Sequence, residues 1–331
     1  MKKTLSIVVP AYNVEKYLAK CLDSMVVKEI LADIEVLIIN DGSKDQTAVI
    51  AQGYCDKYPE TFYLYNKENG GHGSGINYGI KYATGKYFKV VDGDDWLNTE
   101  NLVDFTKLLK EHEEDIIASD FLCIQDGTEN VLGKKYATMN GEQYGKIQSL
   151  DKGEVQEVIK MHSLTIRTEL LQKNQITIDE HCFYVDMEYI AYPIPYADTV
   201  YYDNHFIYMY RLGRNGQSMD IKSMQRNRNQ HMHVLNQLLK FYEALPKEIS
   251  ISKKRYIEKT IGQLMDNQFQ IYISMGLQKG IRKEVKQWDM ALKQQYSEVY
   301  GVTEKKSIWL LRKTNYMILG VGSLVYKVVK G

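Results

Sequence analysis

Four short apolar runs, each closed by a polar turn, constrain the fold of this 331-residue chain more than any other feature. Residues 5–9 (LSIVV) and 34–39 (IEVLII) have the pattern of strands buried on both faces; 62–65 (FYLY) and 87–91 (YFKVV) continue the series. Helical patterns lie between them. Residues 14–26 place Val14, Tyr17, Leu18, Cys21, Leu22 and Met25 on one stripe, and further helices are predicted over 45–58 and through Ile80 and Tyr82. Repeated strand–helix–strand units dictate a parallel sheet with right-handed crossovers. Ligands of such sheets bind beyond the carboxyl ends of the strands. Segments 10–13, 40–43, 69–74 and 92–95 all fall there, so four polar turns converge on one rim.

The last of these turns carries Asp92, Asp94 and Asp95. Carboxylates that close repel one another and raise each other's pKa, so a cation is expected to offset them. Oxygen-only ligands favour Mg²⁺ or Mn²⁺, commonly shared with substrate phosphates. The same residues also suit an Asp/Gly turn after a strand. Asn69-Gly-Gly-His-Gly-Ser-Gly75 offers backbone N–H groups that could wrap phosphates. Its spacing from Gly71 is G-x-G-x-G, which is not the dinucleotide fingerprint, and there is no GKS or GKT of a P-loop. Asp41 ends the second strand and could accept from a base N–H or a ribose hydroxyl, or serve a turn and a cap. Pro10-Ala-Tyr-Asn13 offers donors and an aromatic face, or an N-cap by Asn13 with Glu15 in the first turn.

Downstream, a helix over 99–112 and a strand over 115–123 are expected, then a loop or edge hairpin over 126–150 and one or two helices over 152–175. Residues 200–202 and 206–210 read as strands. Long, charged helical patterns at 222–245, 249–276 and 279–296 place a boundary near Asp220, giving domains 1–220 and 221–331. From Lys305 the chain carries Lys305, Lys306, Arg312, Lys313, Lys327 and Lys330 and no acid. Its uncharged stretch, 314–326, is too short to span a bilayer. A basic amphipathic helix on an anionic membrane surface fits, as does a helix docked on the helical region. Lys+Arg and Asp+Glu both number 42, which argues against a globally basic nucleic-acid binder. Four dispersed cysteines form no CxxC pair, and the opening Met1-Lys2-Lys3 enters a strand with no leader-like apolar core. The cytosol is the expected compartment, with the inner face of the plasma membrane in reach of the basic tail.

Taken in order, the VVPAYN start, INDGSKDQT, ENGGHGSGINYG and the acidic VDGDDW resemble the family 2, GT-A type glycosyltransferases of bacterial polysaccharide synthesis. The match is strong over 4–125 and looser to about 220. The resemblance implies an α/β GT-A mixed sheet flanked by helices, with the helical region appended. It implies an inverting transfer from a nucleotide-diphospho-sugar, a UDP-sugar by the Asp41 position, to a hydroxyl of a saccharide or lipid-linked saccharide. By position, Pro10, Ala11, Tyr12 and Glu15 would line base and ribose, and Asp41 would bind the base. Gly71, His72 and Gly93 would lie along the donor. Asp94 would contact Mn²⁺ or Mg²⁺ and Asp92 the metal or ribose, with Asp95 orienting the loop or sugar. Read from the residues alone, the two acids of Phe183-Tyr-Val-Asp-Met-Glu-Tyr189 suit the opening turn of a helix; by the resemblance, Asp186 would be the general base and Glu188 its reserve. Arg211, Arg214, Gln217 and Ser218 would close over the diphosphate. His162 and Arg167 would face the acceptor or serve a structural role. The chain departs from the family at Ile76, where many relatives carry an arginine for the nucleotide. A sugar-nucleotide nucleotidyltransferase and a non-catalytic nucleotide-sugar binder are the competing readings, and a homodimer is the competing use of the helical region.

Overall fold

The computed structural model describes residues 3–214, 217–218, 220–303 and 305–330. The chain divides into two compact units: Met1–Asn215 with Ser250–Lys253, and Gly216–Ile249 with Lys254–Gly331.

The first unit runs β1 (Leu5–Ala11), α1 (Leu18–Asp23), β2 (Ile34–Asn40), α2 (Thr47–Lys57), β3 (Phe62–Asn66), α3 (His72–Tyr82) and β4 (Tyr87–Val90). There follow β5 (Trp96–Leu97), α4 (Thr99–Glu111), β6 (Ile116–Gln125), β7 (Val131–Lys135), β8 (Ile147–Ser149), β9 (Leu164–Arg167), α5 (Thr168–Lys173), α6 (Asp186–Ala191) and β10 (Thr199–Leu212). Among the described residues these strands form one mixed sheet in the order β3-β2-β1-β4-β9-β6-β10-β5, with β7 on β6 and β8 on β10.

The parallel part, β3-β2-β1-β4, follows the four runs read from the sequence. Every residue of β1 and β2 is buried, as continuous apolar runs covered on both faces require. Helix α3 lies directly on β1: a Cβ on Gly79 would come within 2.4 Å of Val8 Cγ1.

Three local expectations change. Helix α1 is shorter than 14–26: after a left-handed Asn13 (φ 52°), residues 14–17 form a turn in which Tyr17 N donates to Val14 O (2.9 Å), and the helix begins at Leu18. Asn13 does not cap that helix; its Oδ1 accepts from Lys44 N (2.8 Å) and its N–H donates to Ser43 Oγ (3.0 Å). Residues 164–167, expected to be helical, form β9, an antiparallel strand between β4 and β6. A four-residue Leu-Thr-Ile-Arg run carries too little periodicity to separate strand from helix. Residues 199–212 are one strand rather than two, with register shifts between Asp203 and Tyr208.

The second unit holds α7 (Ile221–Arg226), α8 (Arg228–Glu243), most of α9 (Ile251–Ser274), α10 (Ile281–Gln295), α11 (Ser297–Tyr300), α12 (Lys306–Lys313) and α13 (Leu319–Lys330). Its buried acid, Asp289, is satisfied by Arg312 Nη2 (2.8 Å), Tyr300 OH (2.9 Å) and Tyr316 OH. Fully paired, such a group is tolerated in a core.

Candidate active site

The rim of the parallel strands is held together from beneath by Asp41. Its Oδ1 accepts from Lys67 Nζ (2.7 Å) and Gly70 N (2.8 Å), and its Oδ2 from Gly71 N (2.8 Å). A carboxylate offers about four lone-pair positions; three are taken, and the residue is buried. Asp41, expected at the base, also anchors the glycine loop. Gly71 adopts φ +83°, where an L side chain is strained. At Gly73 a Cβ would lie 2.1 Å from Asp179 O, so the segment 179–181 occupies the space a side chain would need.

The residues expected around base and ribose are mostly engaged elsewhere. Pro10 and Ala11 are buried at the end of β1. Pro10 O accepts from Gly93 N (3.2 Å), and a Cβ on Gly93 would stand 3.1 Å from Val14 Cγ2, so a larger residue there requires that side chain to shift. Glu15 Oε2 accepts from Gln46 N (2.9 Å) and so ties two rim loops together. Tyr12 alone presents an exposed face. Ile76 is fully buried, so its side chain faces the interior and no nucleotide contact is available to it.

The acidic turn after β4 is braced from the far end of the chain. Asp95 Oδ2 accepts from Tyr208 OH (2.6 Å) and Oδ1 from Arg211 N (2.7 Å), while Tyr208 OH also accepts from Asp92 N (3.2 Å). Arg211 Nε donates to Asp94 O (2.6 Å), Nη1 reaches Asp126 Oδ1 (3.1 Å), and its guanidinium stands 4.7 Å from the centroids of both Tyr17 and Trp96. Arg211, expected over a diphosphate, is therefore a buried brace of the turn. Arg214 is placed differently: Nη2 pairs with Asp94 Oδ2 (2.6 Å), while its Nε is buried with no hydrogen-bond partner among the described residues. Gln217 and Ser218 belong to the second unit, and Asn215 and Gly216 lie outside the described residues.

The three acids separate electrostatically. Burial, then the charges of Asp94 and Asp92, push the Asp95 carboxyl well above its ordinary range. Burial and Asp92 raise Asp94 too, against the opposing Arg214. Burial also raises Asp92, but His72, His162 and Arg214 outweigh it and the net shift is downward. His72 Nε2 lies 2.7 Å from Asp92 Oδ1. Burial pulls the imidazole pKa down, yet Asp92, Asp186 and Asp94 together carry it above the usual value. One donor atom each from Asp92, Asp95 and His162 lies within 4.8 Å of the others, a grouping that shares Asp92 with the expected pair but replaces Asp94. Both Asp95 oxygens are already bonded. The oxygen donors of Asp92 and Asp94 fit a hard divalent cation, because Asp94 stays raised even with Arg214 beside it.

Asp186 opens α6 after two left-handed residues, His181 (φ 54°) and Tyr184 (φ 70°). It is half-buried. Burial raises its pKa, His72 opposes, Asp92 adds, Lys160 opposes, and the net is upward. It therefore lies within electrostatic reach of the His72–Asp92 pair. Glu188 does not: it is fully buried, and its Oε2 accepts from Asp179 N (2.8 Å), pinning the segment that fills the space over Gly73. Burial pushes its pKa from 4.5 up to about 7. The folded state therefore binds more protons than the unfolded chain between those values, and stability falls as pH rises through that window. Glu188→Gln keeps the acceptor and removes the charge. Comparing urea unfolding free energies at pH 5 and pH 8 should show a native loss of about 2.5 kcal/mol that the variant lacks; an unchanged loss would remove Glu188 as its source.

Three nearby groups complete the floor. Lys89, fully buried in β4, donates to His162 O (2.9 Å) and Leu164 O (3.3 Å), and burial lowers its pKa to about 7. A lysine inside an otherwise apolar run was the available sign that something polar lay beneath. His162, expected at the acceptor, packs 4.9 Å from the Phe121 ring and 4.3 Å from the Tyr210 ring, with a pKa lowered by burial to about 4. Tyr208 left no such sign. Arg167 is away from the rim: it pairs with Tyr87 at the opposite end of β4 and forms an ion pair with Glu113.

Comparison with known proteins bears on this arrangement. A family model described as glycosyl transferase family 2 matches residues 6–171, half of the chain. The minor teichoic acid biosynthesis protein GgaB of Bacillus subtilis (strain 168) is 30% identical over 181 residues, covering 54% of this chain and 19% of that protein. Poly(ribitol-phosphate) beta-N-acetylglucosaminyltransferase TarS of Staphylococcus aureus (strain MW2) is 30% identical over 185 residues, covering 53% of this chain and 29% of that protein. The chain thus spans a fifth to a third of these curated relatives. Among solved structures, S. aureus TarS 1–349 in complex with UDP-GlcNAc superposes with a TM-score of 0.63 at 19% identity, covering 98% of this chain and 91% of that one. The mannosyltransferase PcManGT from Pyrobaculum calidifontis, in complex with GDP-Man and Mn²⁺, gives 0.54 at 14% identity, covering 98% and 88%. These superpositions establish the fold, a GT-A mixed sheet with helices appended.

Proposed function

Because this chain belongs to glycosyl transferase family 2, we propose that it moves a sugar from a nucleotide-diphospho-sugar to a hydroxyl of a glycan or lipid-linked glycan, with inversion at the anomeric carbon. The observation that carries this reading is the pairing of two unlike acid environments in one site. The crowded Asp92–Asp94 edge calls for a cation, and Asp186, a carboxyl with raised basicity, lies in reach of the same His72–Asp92 pair.

Asp186 accepts the proton of the acceptor hydroxyl as its oxygen attacks the anomeric carbon. The bond from that carbon to the diphosphate oxygen breaks, and the leaving group departs with the negative charge. Arg214 is suited to meet that charge, since its buried Nε has a donor to give. His72, whose pKa the neighbouring acids raise against the pull of burial, adds a second donor at the start of α3. Mn²⁺ or Mg²⁺ bound by Asp94 and Asp92 would neutralise the diphosphate. A UDP-sugar is the donor favoured, supported by the TarS complex with UDP-GlcNAc, while the GDP-Man complex of PcManGT keeps a guanosine donor in the comparison. Tyr12 is the exposed face left for a base to stack on.

Screening nucleotide-sugars with Mn²⁺ for thermal stabilisation and slow hydrolysis tests this directly, because a bound ligand stabilises by RT ln(1 + [L]/Kd). A UDP-sugar should raise Tm and release UDP. Stabilisation by no nucleotide-sugar, with no release, would sink the proposal. Pyrophosphate release from a sugar phosphate and UTP would replace it with nucleotidyl transfer.

A further inference from the structure

Helices α12 and α13 carry apolar residues on two sides, and only one side is covered. On the inner side Ile308, Leu311 and Leu319 are buried, Ser323 Oγ donates to Ser274 O (3.3 Å), and a Cβ on Gly276 would stand 2.6 Å from Leu319 O. Helix α13 therefore lies directly against the end of α9. On the outer side Val321, Leu324, Val325 and Val328 follow at i, i+3, i+4 and i+7 and are 61%, 53%, 57% and 84% exposed. A helix packed on a core ordinarily turns polar residues to water at those positions. Trp309 and Met317 are exposed as well. Contiguous apolar surface of this kind marks an interaction site.

Charge selects the partner. Residues 305–330 hold no acid, whereas the neutral chain as a whole makes everything outside them net acidic. Within this segment Arg312 is used internally by Asp289, and Lys305 lies 3.5 Å from Asp266. Lys306 and Lys313 are exposed, and Arg282 reaches the turn at Asn315 O (3.3 Å), two residues before Met317. The side chains of Lys327 and Lys330 lie outside the described residues. The aliphatic stripe of α13, and on α12 an exposed Trp309 spaced i, i+3, i+7 with Lys306 and Lys313, match the boundary between lipid headgroups and acyl chains. Among the described residues no helix is long and apolar enough to cross a membrane, so the segment would lie along a surface.

We propose that α13, with the exposed residues of α12, docks in the plane of an anionic phospholipid bilayer. The four aliphatic side chains enter the acyl boundary, and Lys306 and Lys313 meet anionic headgroups. A second copy of the chain is a poorer occupant, because a two-fold pairing of this face would set cations against cations. The proposal stands on this unit alone and is independent of the sugar-transfer reading.

The test is co-flotation of the full chain with vesicles of phosphatidylcholine containing phosphatidylglycerol, against phosphatidylcholine alone. Binding should need the anionic lipid and weaken as salt rises. Leu324→Ser with Val325→Ser should bind at least about tenfold more weakly while keeping the native melting temperature. Lys306→Glu with Lys313→Glu leaves the stripe intact and should also reduce binding. The proposal is overturned by a native chain that stays off anionic vesicles or by two variants that bind like it. It is equally overturned by a lipid-free dimer in sedimentation that the serine variant dissolves.

Discussion

Asp186→Asn should yield a folded protein that binds donor normally and turns over roughly 10²–10⁴-fold more slowly. The amide keeps the shape of the carboxylate at the start of α6 but takes up no proton. The native carboxyl is raised by burial and by Asp92, with His72 and Lys160 opposing, so it is a better base than a free aspartate. The same shift has a pH signature. Native turnover should fall on acidification once pH drops below that raised pKa, while the residual rate of Asp186→Asn should lose this limb. Steady-state rates across pH, with UDP affinity measured beside them, separate the two effects. Near-normal turnover in the variant would remove Asp186 as the base and leave the acid limb without an owner.

Asp94→Ala should act on the opposite quantity. Loss of one carboxylate from the Asp92–Asp94 edge should abolish metal-dependent stabilisation by UDP and lower turnover by about 10²–10³-fold. Without ligand, the variant should be as stable as the native protein or more so, because burial and Asp92 hold the native Asp94 above its ordinary pKa. Thermal melts with UDP over a Mn²⁺ series provide the readout. If UDP still stabilised Asp94→Ala in a Mn²⁺-dependent way, the ligand set would shift to the alternative grouping of Asp92, Asp95 and His162. Arg214 loses its partner in this variant, so Arg214→Ala is the companion: it should slow turnover while leaving the Mn²⁺ response in place.

The parallel strands were legible because each is a continuous apolar run closed by a polar turn, and a sheet buried on both faces needs that pattern. The convergence of four turns followed from the topology. The antiparallel partners were not legible: β9 is four residues long and β5 is two, and strands so short carry no period. At the site, residue type pointed to the acids, the glycines and Asp186. It could not tell which acid is exposed to a ligand and which is tied up inside. Asp41 and Arg211 have the chemistry of ligand contacts, yet three donors engage Asp41 and two aromatic rings enclose Arg211. Those partners come from other elements, so no local spacing announces them.

The brace on the acidic turn also bears on how the protein is made. Tyr208 lies 113 residues beyond the Asp95 that it holds. At about 5–20 residues per second, synthesis leaves an interval of roughly 6–23 s between them. During that time β1 to β4 have all the sequence their mutual pairing needs, while three neighbouring acids stand without the hydroxyl, backbone amide and guanidinium that later confine them. A nascent chain halted at residue 171, where the family match ends, would own every rim loop and still lack Tyr208, Arg211 and Arg214. Competence at the acidic edge is thus deferred until β10 has left the ribosome and joined the sheet.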